Sequence, residues 1–137
     1  MTHNFHPTIW GPYLWKSFHM ISLGYPDSPT NENKMHMKNF ILSIPTLLPC
    51  DGCKIFSKSY IYSVPERVDN AILSRNNLVE FFITFHNAVN EKLGKKLWTG
   101  DITQLATEKY KKQGNDKYML IAITIAFITV IFIMMRK

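Results

Sequence analysis

Residues 74–94 read SRNNLVEFFITFHNAVNEKLG. Leu78, Phe81, Phe82, Phe85, Val89 and Leu93 recur at helical spacing, so one face of the stretch is apolar. Ser74 is a side-chain cap for its start. Gly94 ends it, and Lys92, Lys95 and Lys96 stand near the negative end of its dipole. A helix with such a face must be buried against other elements.

Working outward, the same period appears at 8–23, where Trp10, Leu14, Phe18 and Ile21 share a face and Thr8 is a candidate cap. That helix is expected to stop at Gly24, before the turn-forming stretch 24–33. A second helix is expected from Asn31 or Asn33 to about Ile44, burying Met37, Phe40, Ile41 and Ile44, with Pro45 and Pro49 breaking regularity beyond it. Residues 50–62 read as a short helix opening at two cysteines. Residues 63–73, with Pro65, read as a connector, and 97–110 as one more short helix. There is no strand-like alternation and no repeat. The expected fold is all-α, a bundle of four to five helices.

The chain has 137 residues, 46% of them hydrophobic, and a net charge of +6. That length holds one ordinary domain. It excludes a disordered chain, a disulfide-dense mini-protein and a multi-domain enzyme. Lys117, Arg136 and Lys137 flank the C-terminal apolar segment, so about half of the excess charge lies beside it and no nucleic-acid partner is expected. Residues 118–135 carry no charge and are apolar all round, unlike an amphipathic helix. At about 1.5 Å per residue they span about 27 Å, enough for the hydrocarbon core of a bilayer. The sequence therefore divides into a helical domain over 1–110, a polar stem over 111–117 and a single C-terminal transmembrane helix over 118–135. Lys109, Lys111, Lys112 and Lys117 precede the span, which places the helical domain on the cytosolic side. No signal peptide is read at the N-terminus.

The chain has two cysteines, Cys50 and Cys53, in one C-x-x-C. With no cysteine left over, the pattern fits a reducing compartment and a pair with redox or metal work to do. A thiolate at a helix N-terminus is stabilised by the dipole and made reactive. Zinc needs about four ligands. No second C-x-x-C is present, and His19 and His86 would have to be brought in by folding. A thioredoxin-like fold lacks its βαβ pattern here.

Two further clusters flank the pair. Trp10-Gly11-Pro12-Tyr13-Leu14-Trp15 runs on to His19, placing Trp15 and His19 on one helix face. His86-Asn87-Ala88-Val89-Asn90 leads to Leu93-Gly94-Lys95, with His86 and Asn90 on one face. Each has a bland reading: Trp15 as core, His86 as a satisfied core histidine, Lys95 as a helix cap. Together they describe a socket for a planar, polar cofactor. Trp and His rings stack on heterocycles, Asn amides bond their edges, and Lys pairs with phosphate.

W-G-x-x-x-W-x-x-x-H, then P-C-x-x-C, then H-N-x-V-N-x-x-L-G-K, in that order over residues 10–96, resembles the Erv/ALR family of flavin-linked sulfhydryl oxidases. The resemblance implies a helical bundle around non-covalent FAD, usually a homodimer. It implies that Trp15 and His19 contact the flavin cofactor, with Gly11 allowing close approach, that His86, Asn87, Val89 and Asn90 line the adenine and ribose side, and that Lys95 faces the phosphates. It implies catalytic roles for Cys53, next to the isoalloxazine, and for Cys50, exchanging with a client dithiol, with oxygen as the final acceptor giving hydrogen peroxide. No metal is implied.

The departures are specific. Ile83 stands where many members carry a cysteine of a structural disulfide, Pro12 where a basic residue is common, and no shuttle cysteines exist. Clients must then reach Cys50 directly or through a separate small thiol carrier. The short domain, the membrane tail and the A+T-biased composition look like the compact members in large cytoplasmic DNA viruses, which oxidise virion proteins. A host cytoplasmic or virion membrane is the expected location. The alternative is a tail-anchored helical binding module whose C-x-x-C is structural or zinc-bound.

Overall fold

The computed structural model describes residues 5–98 and, beyond them, Ile121 and Ile125. Two compact units are present, Met1–Trp98 and Thr99–Lys137. Of the second, Ile121 and Ile125 are helical and exposed. Of the expected helix over 97–110 only Leu97 and Trp98 are described, and neither is helical; the rest of it, the stem over 111–117 and the span over 118–135 lie outside the described residues apart from Ile121 and Ile125. Among the described residues no helix is long and apolar enough to cross a membrane.

Among the described residues the first unit has five helices: α1 (Pro7–Leu23), α2 (Asn31–Leu47), α3 (Asp51–Tyr62), α4 (Pro65–Ala71) and α5 (Arg75–Lys92). The α5 stretch starts as its sequence suggests, with the Ser74 side chain accepting from the Asn77 amide at 3.2 Å. α2 opens with a capping box. Thr30 Oγ1 accepts from the Asn33 amide at 3.1 Å, and Asn33 Oδ1 accepts from the Thr30 amide at 3.0 Å.

Three boundaries differ from expectation, each for a proline-related reason. α1 begins one residue earlier, at Pro7, with His6 rather than Thr8 as its cap. Proline suits the first helical position, where its missing N–H would have no partner. α2 runs through Pro45 to Leu47. Pro45 is buried beside Ile41 and Ile44, and that burial offsets one backbone bond lost near the helix end. The connector at 63–73 holds a helix, α4, with Pro65 at its first turn and Val68 and Ala71 buried. The periodicity of so short a segment carries little signal.

α1 packs on α5, α2 on α3, and α4 on α5. The core gathers Ile41 of α2, Ile61 of α3, Val68 of α4 and Leu78, Phe82 and Phe85 of α5, all nearly or fully buried. Phe18 of α1 stacks on Phe82 with ring centroids 5.2 Å apart. A corner is tied by Tyr25, whose buried hydroxyl donates to the Ile72 carbonyl at 3.0 Å while its own carbonyl accepts from Arg75 Nε at 2.6 Å. These contacts hold α1 and α5 side by side, while α3 packs on α2.

Candidate active site

Cys50 and Cys53 are joined in a disulfide at the N-terminus of α3. Cys50 is the cap residue, and its sulfur accepts from the Cys53 amide at 3.3 Å. Pro49 forces Leu48 into an extended conformation, so a single residue separates the C-cap of α2 from the cysteine. The two sulfurs differ in surroundings. Cys53 packs against the buried core, as do Trp15 and Val89. Cys50 sits at the helix mouth, with Asp51 exposed beside it and paired to Lys54 at 3.1 Å. Each cysteine is bonded to the other, so in this state neither offers a thiolate to a metal. Among the described residues no group of three or more His, Cys, Asp or Glu could hold a metal ion.

The α1–α5 pairing brings together the two histidine motifs. Trp15 and His86 stack face to face, with centroids 4.3 Å apart and planes 8° apart. His19 Nε2 and His86 Nδ1 share a hydrogen bond of 3.1 Å. The edge of Phe85 meets the Trp15 ring at 5.2 Å. Trp15 and the two imidazoles thus form one continuous wall rather than two halves of a clamp.

Burial holds both histidines neutral. His19 is 1% exposed, and desolvation lowers its pKa to about 4. His86 is lowered to about 4 by desolvation first, then by the charges of His19 and Lys95. The Lys95 backbone is set by the chain turn: Gly94 has φ 63°, and the Lys95 amide donates to the Asn90 carbonyl at 2.8 Å.

Trp98 completes the wall and was not singled out by the sequence. Its ring lies 4.5 Å from His19 and 5.8 Å from His86. Asn87 holds it by both amide ends: Asn87 Nδ2 donates to the Trp98 carbonyl at 3.0 Å, and Asn87 Oδ1 accepts from the Trp98 amide at 2.7 Å. Asn87 therefore acts on the site through Trp98. The one available sequence signal was a tryptophan a few residues past the helix-ending glycine.

The other expected residues are placed as follows. Val89 is half-buried and packs on the core. Asn90 is half-buried on the same helix, its carbonyl turned to the α5 end. A Cβ built on Gly11 would meet nothing within 4 Å, so no protein neighbour demands glycine there and the space beside α1 is open.

One buried polar atom has no partner among the described residues: His19 Nδ1. Such an atom costs about 1–3 kcal/mol unless a ligand meets it. A flat aromatic wall, one unmatched ring nitrogen and a lysine at the edge fit a planar heterocycle carrying an anionic group.

The Erv1 / Alr family model matches residues 12–113. A probable FAD-linked sulfhydryl oxidase of Acanthamoeba polyphaga mimivirus is 40% identical over 93 residues, covering 68% of this chain and 64% of its own length. A putative FAD-linked sulfhydryl oxidase of Invertebrate iridescent virus 3 is 40% identical over 89 residues, covering 65% and 59%. The chain thus spans about three fifths of these relatives. The crystal structure of the FAD binding domain of Erv1 from Saccharomyces cerevisiae superposes with a TM-score of 0.64 at 26% identity, covering 75% of this chain and 92% of that one. A match over most of the residues, on a helical core that joins the cysteine pair to the histidine wall, places this chain in the Erv1 / Alr family.

Proposed function

We propose that this chain is a FAD-dependent sulfhydryl oxidase that makes disulfides in client proteins and passes the electrons to oxygen, giving hydrogen peroxide. The observation that carries the reading is the pairing of a Cys50–Cys53 disulfide at a helix mouth with the Trp15–His19–His86 wall on the same core. The naming of the viral relatives as FAD-linked sulfhydryl oxidases supports it.

The residues present fit FAD. Trp15, His86 and Trp98 would hold a ring system, His19 Nδ1 would bond its edge, and Lys95 would neutralise its phosphates, with Gly11 leaving α1 approachable. Bound there, the flavin supplies a two-electron acceptor that oxygen can reoxidise. The chain's own work is on sulfur. A client thiolate attacks Cys50, the cap residue of α3, and Cys53 leaves as a thiolate held by the α3 N-terminus. The second client thiol then displaces Cys50, and the client departs oxidised. Cys53, packed inward, is the sulfur placed to hand electrons on.

The chain would act as a homodimer, and exposed Tyr13 of α1 and Leu47 of α2, which line one groove, offer apolar surface for a partner. Residues 118–135 would anchor the chain in a host cytoplasmic or virion membrane, with the catalytic domain in the cytosol and virion proteins as clients.

The test is direct. Full-length protein purified in mild detergent should be yellow and should consume oxygen with dithiothreitol, producing peroxide. Cys50→Ser and Cys53→Ser should each abolish turnover. A folded, colourless protein that stays inert when given excess FAD would sink the proposal.

A further inference from the structure

The peptide that leads into Cys50 is held by the N-terminal arm. The Phe5 amide donates to the Pro49 carbonyl at 2.9 Å. The Phe5 carbonyl accepts from Trp10 Nε1 at 3.1 Å. Trp10 is half-buried on the core and lines, with Leu48 and Pro49, a groove of about 430 Å³ beside α1. A relay therefore runs from a core-anchored indole, through one backbone residue, to the carbonyl adjoining the redox cysteine.

Among the described residues the Phe5 bond holds the Pro49 carbonyl, which lies outside the helical hydrogen bonds of α2 and α3. Proline has no N–H to give, and the hydrogen bonds of α3 begin only at the Cys50 carbonyl, which accepts from Lys54 at 2.9 Å. The disulfide and the α3 cap already pin the Cys50 sulfur, so what the Phe5 bond fixes is the chain on the approach to it, and thiol exchange depends on which sulfur is attacked and how it is reached.

We propose that Trp10 and the Phe5 backbone are positioning groups for Cys50, keeping its sulfur open to a client thiolate. The proposal rests on the oxidase reading above. The step concerned is balanced on sulfur alone. A client thiolate forms a bond to Cys50, the Cys50–Cys53 bond breaks, and Cys53 takes the electron pair. A second client thiolate attacks the client sulfur of that mixed disulfide, and Cys50 leaves as thiolate. The client loses two electrons, and the cysteine pair gains them.

Three variants of the full chain isolate the relay. Phe5→Pro removes the donating amide, and Phe5→Ala keeps it while removing the exposed ring. Trp10→Phe keeps the packed ring and removes the indole N–H. The oxidised proteins are mixed with dithiothreitol under anaerobic conditions. Reduction of Cys50–Cys53 is followed by quenched alkylation and mass, a readout that needs no turnover. Thermal midpoints are recorded alongside. Phe5→Pro and Trp10→Phe should each slow reduction about fivefold, the weight of one net hydrogen bond, while Phe5→Ala stays within about twofold and recovers the native rate by keeping the amide. The midpoint of Phe5→Pro should lie below that of Phe5→Ala by no more than one lost hydrogen bond, so that unfolding does not account for the slower reduction. Native rates in Phe5→Pro or Trp10→Phe overturn the proposal, as does an equal slowing in Phe5→Ala. A native disulfide that dithiothreitol does not reduce at all would instead overturn the oxidase reading.

Discussion

His19 of α1 and His86 of α5 lie 67 positions apart in the chain yet share a hydrogen bond of 3.1 Å. Both are neutral, so one ring nitrogen donates and the other accepts. The bond ties the two helices that carry the flanking motifs, and it makes the site sensitive to protons.

The first prediction is a loss of stability in mild acid. Both pKa values fall from 6.5 to about 4 on folding. The unfolded chain therefore takes up protons first as pH drops. Stability is full above about pH 6.5, declines between 6.5 and 4, and levels off below 4. The slope is at most about 1.4 kcal/mol per pH unit for each histidine. Urea unfolding at a series of pH values should show it, and His19→Gln should flatten it. An unchanged slope in that variant would remove His19 from the account.

Trp15→Ala should cost about 3 kcal/mol, near the lower end for truncating a packed aromatic ring, because Trp15 is half-buried. Its stack on His86 and its edge contact with Phe85 both disappear. Trp15→Phe should cost less than half as much. Denaturant midpoints measure the stability change, and flavin content after purification should fall in the same order.

Asn87→Leu should release Trp98 without emptying the space beside it. Two hydrogen bonds to the Trp98 backbone are lost, together worth about 1–3 kcal/mol. Hydrogen exchange at the Trp98 amide should quicken by at least about tenfold, with little change in α2 and α3. Flavin should dissociate more readily if Trp98 forms part of its wall.

Gly94 occupies the left-handed region at φ 63°, where a side chain is disfavoured. Gly94→Ala should cost about 1 kcal/mol, and Gly94→Asn less, because asparagine tolerates that conformation. The turn fixes the backbone at Lys95, whose charge lowers the His86 pKa. A weaker Lys95 influence would therefore raise the His86 pKa in both variants, which titration by NMR can read.

How far the sequence itself reached is clear from particular residues. The period of Leu78, Phe81, Phe82 and Phe85 marked α5 and its buried face, since an amphipathic helix writes its environment at a spacing of three and four. The pairing of Trp15 with His19 was legible for the same reason, as was a C-x-x-C opening a helix. Proline misled at three places because its effect depends on what surrounds it. At Pro7 and Pro65 it starts a helix, and at Pro45 burial in the core outweighs the lost backbone bond. Local sequence cannot carry that balance. Nor could it carry the contacts made across the bundle: the stack of Trp15 on His86, the clamp of Asn87 on Trp98, and the Phe5–Pro49 bond beside Cys50. Such contacts join residues far apart in the chain, and they exist only because packing α1 on α5 and α2 on α3 buries enough apolar surface to fix those helices in one arrangement.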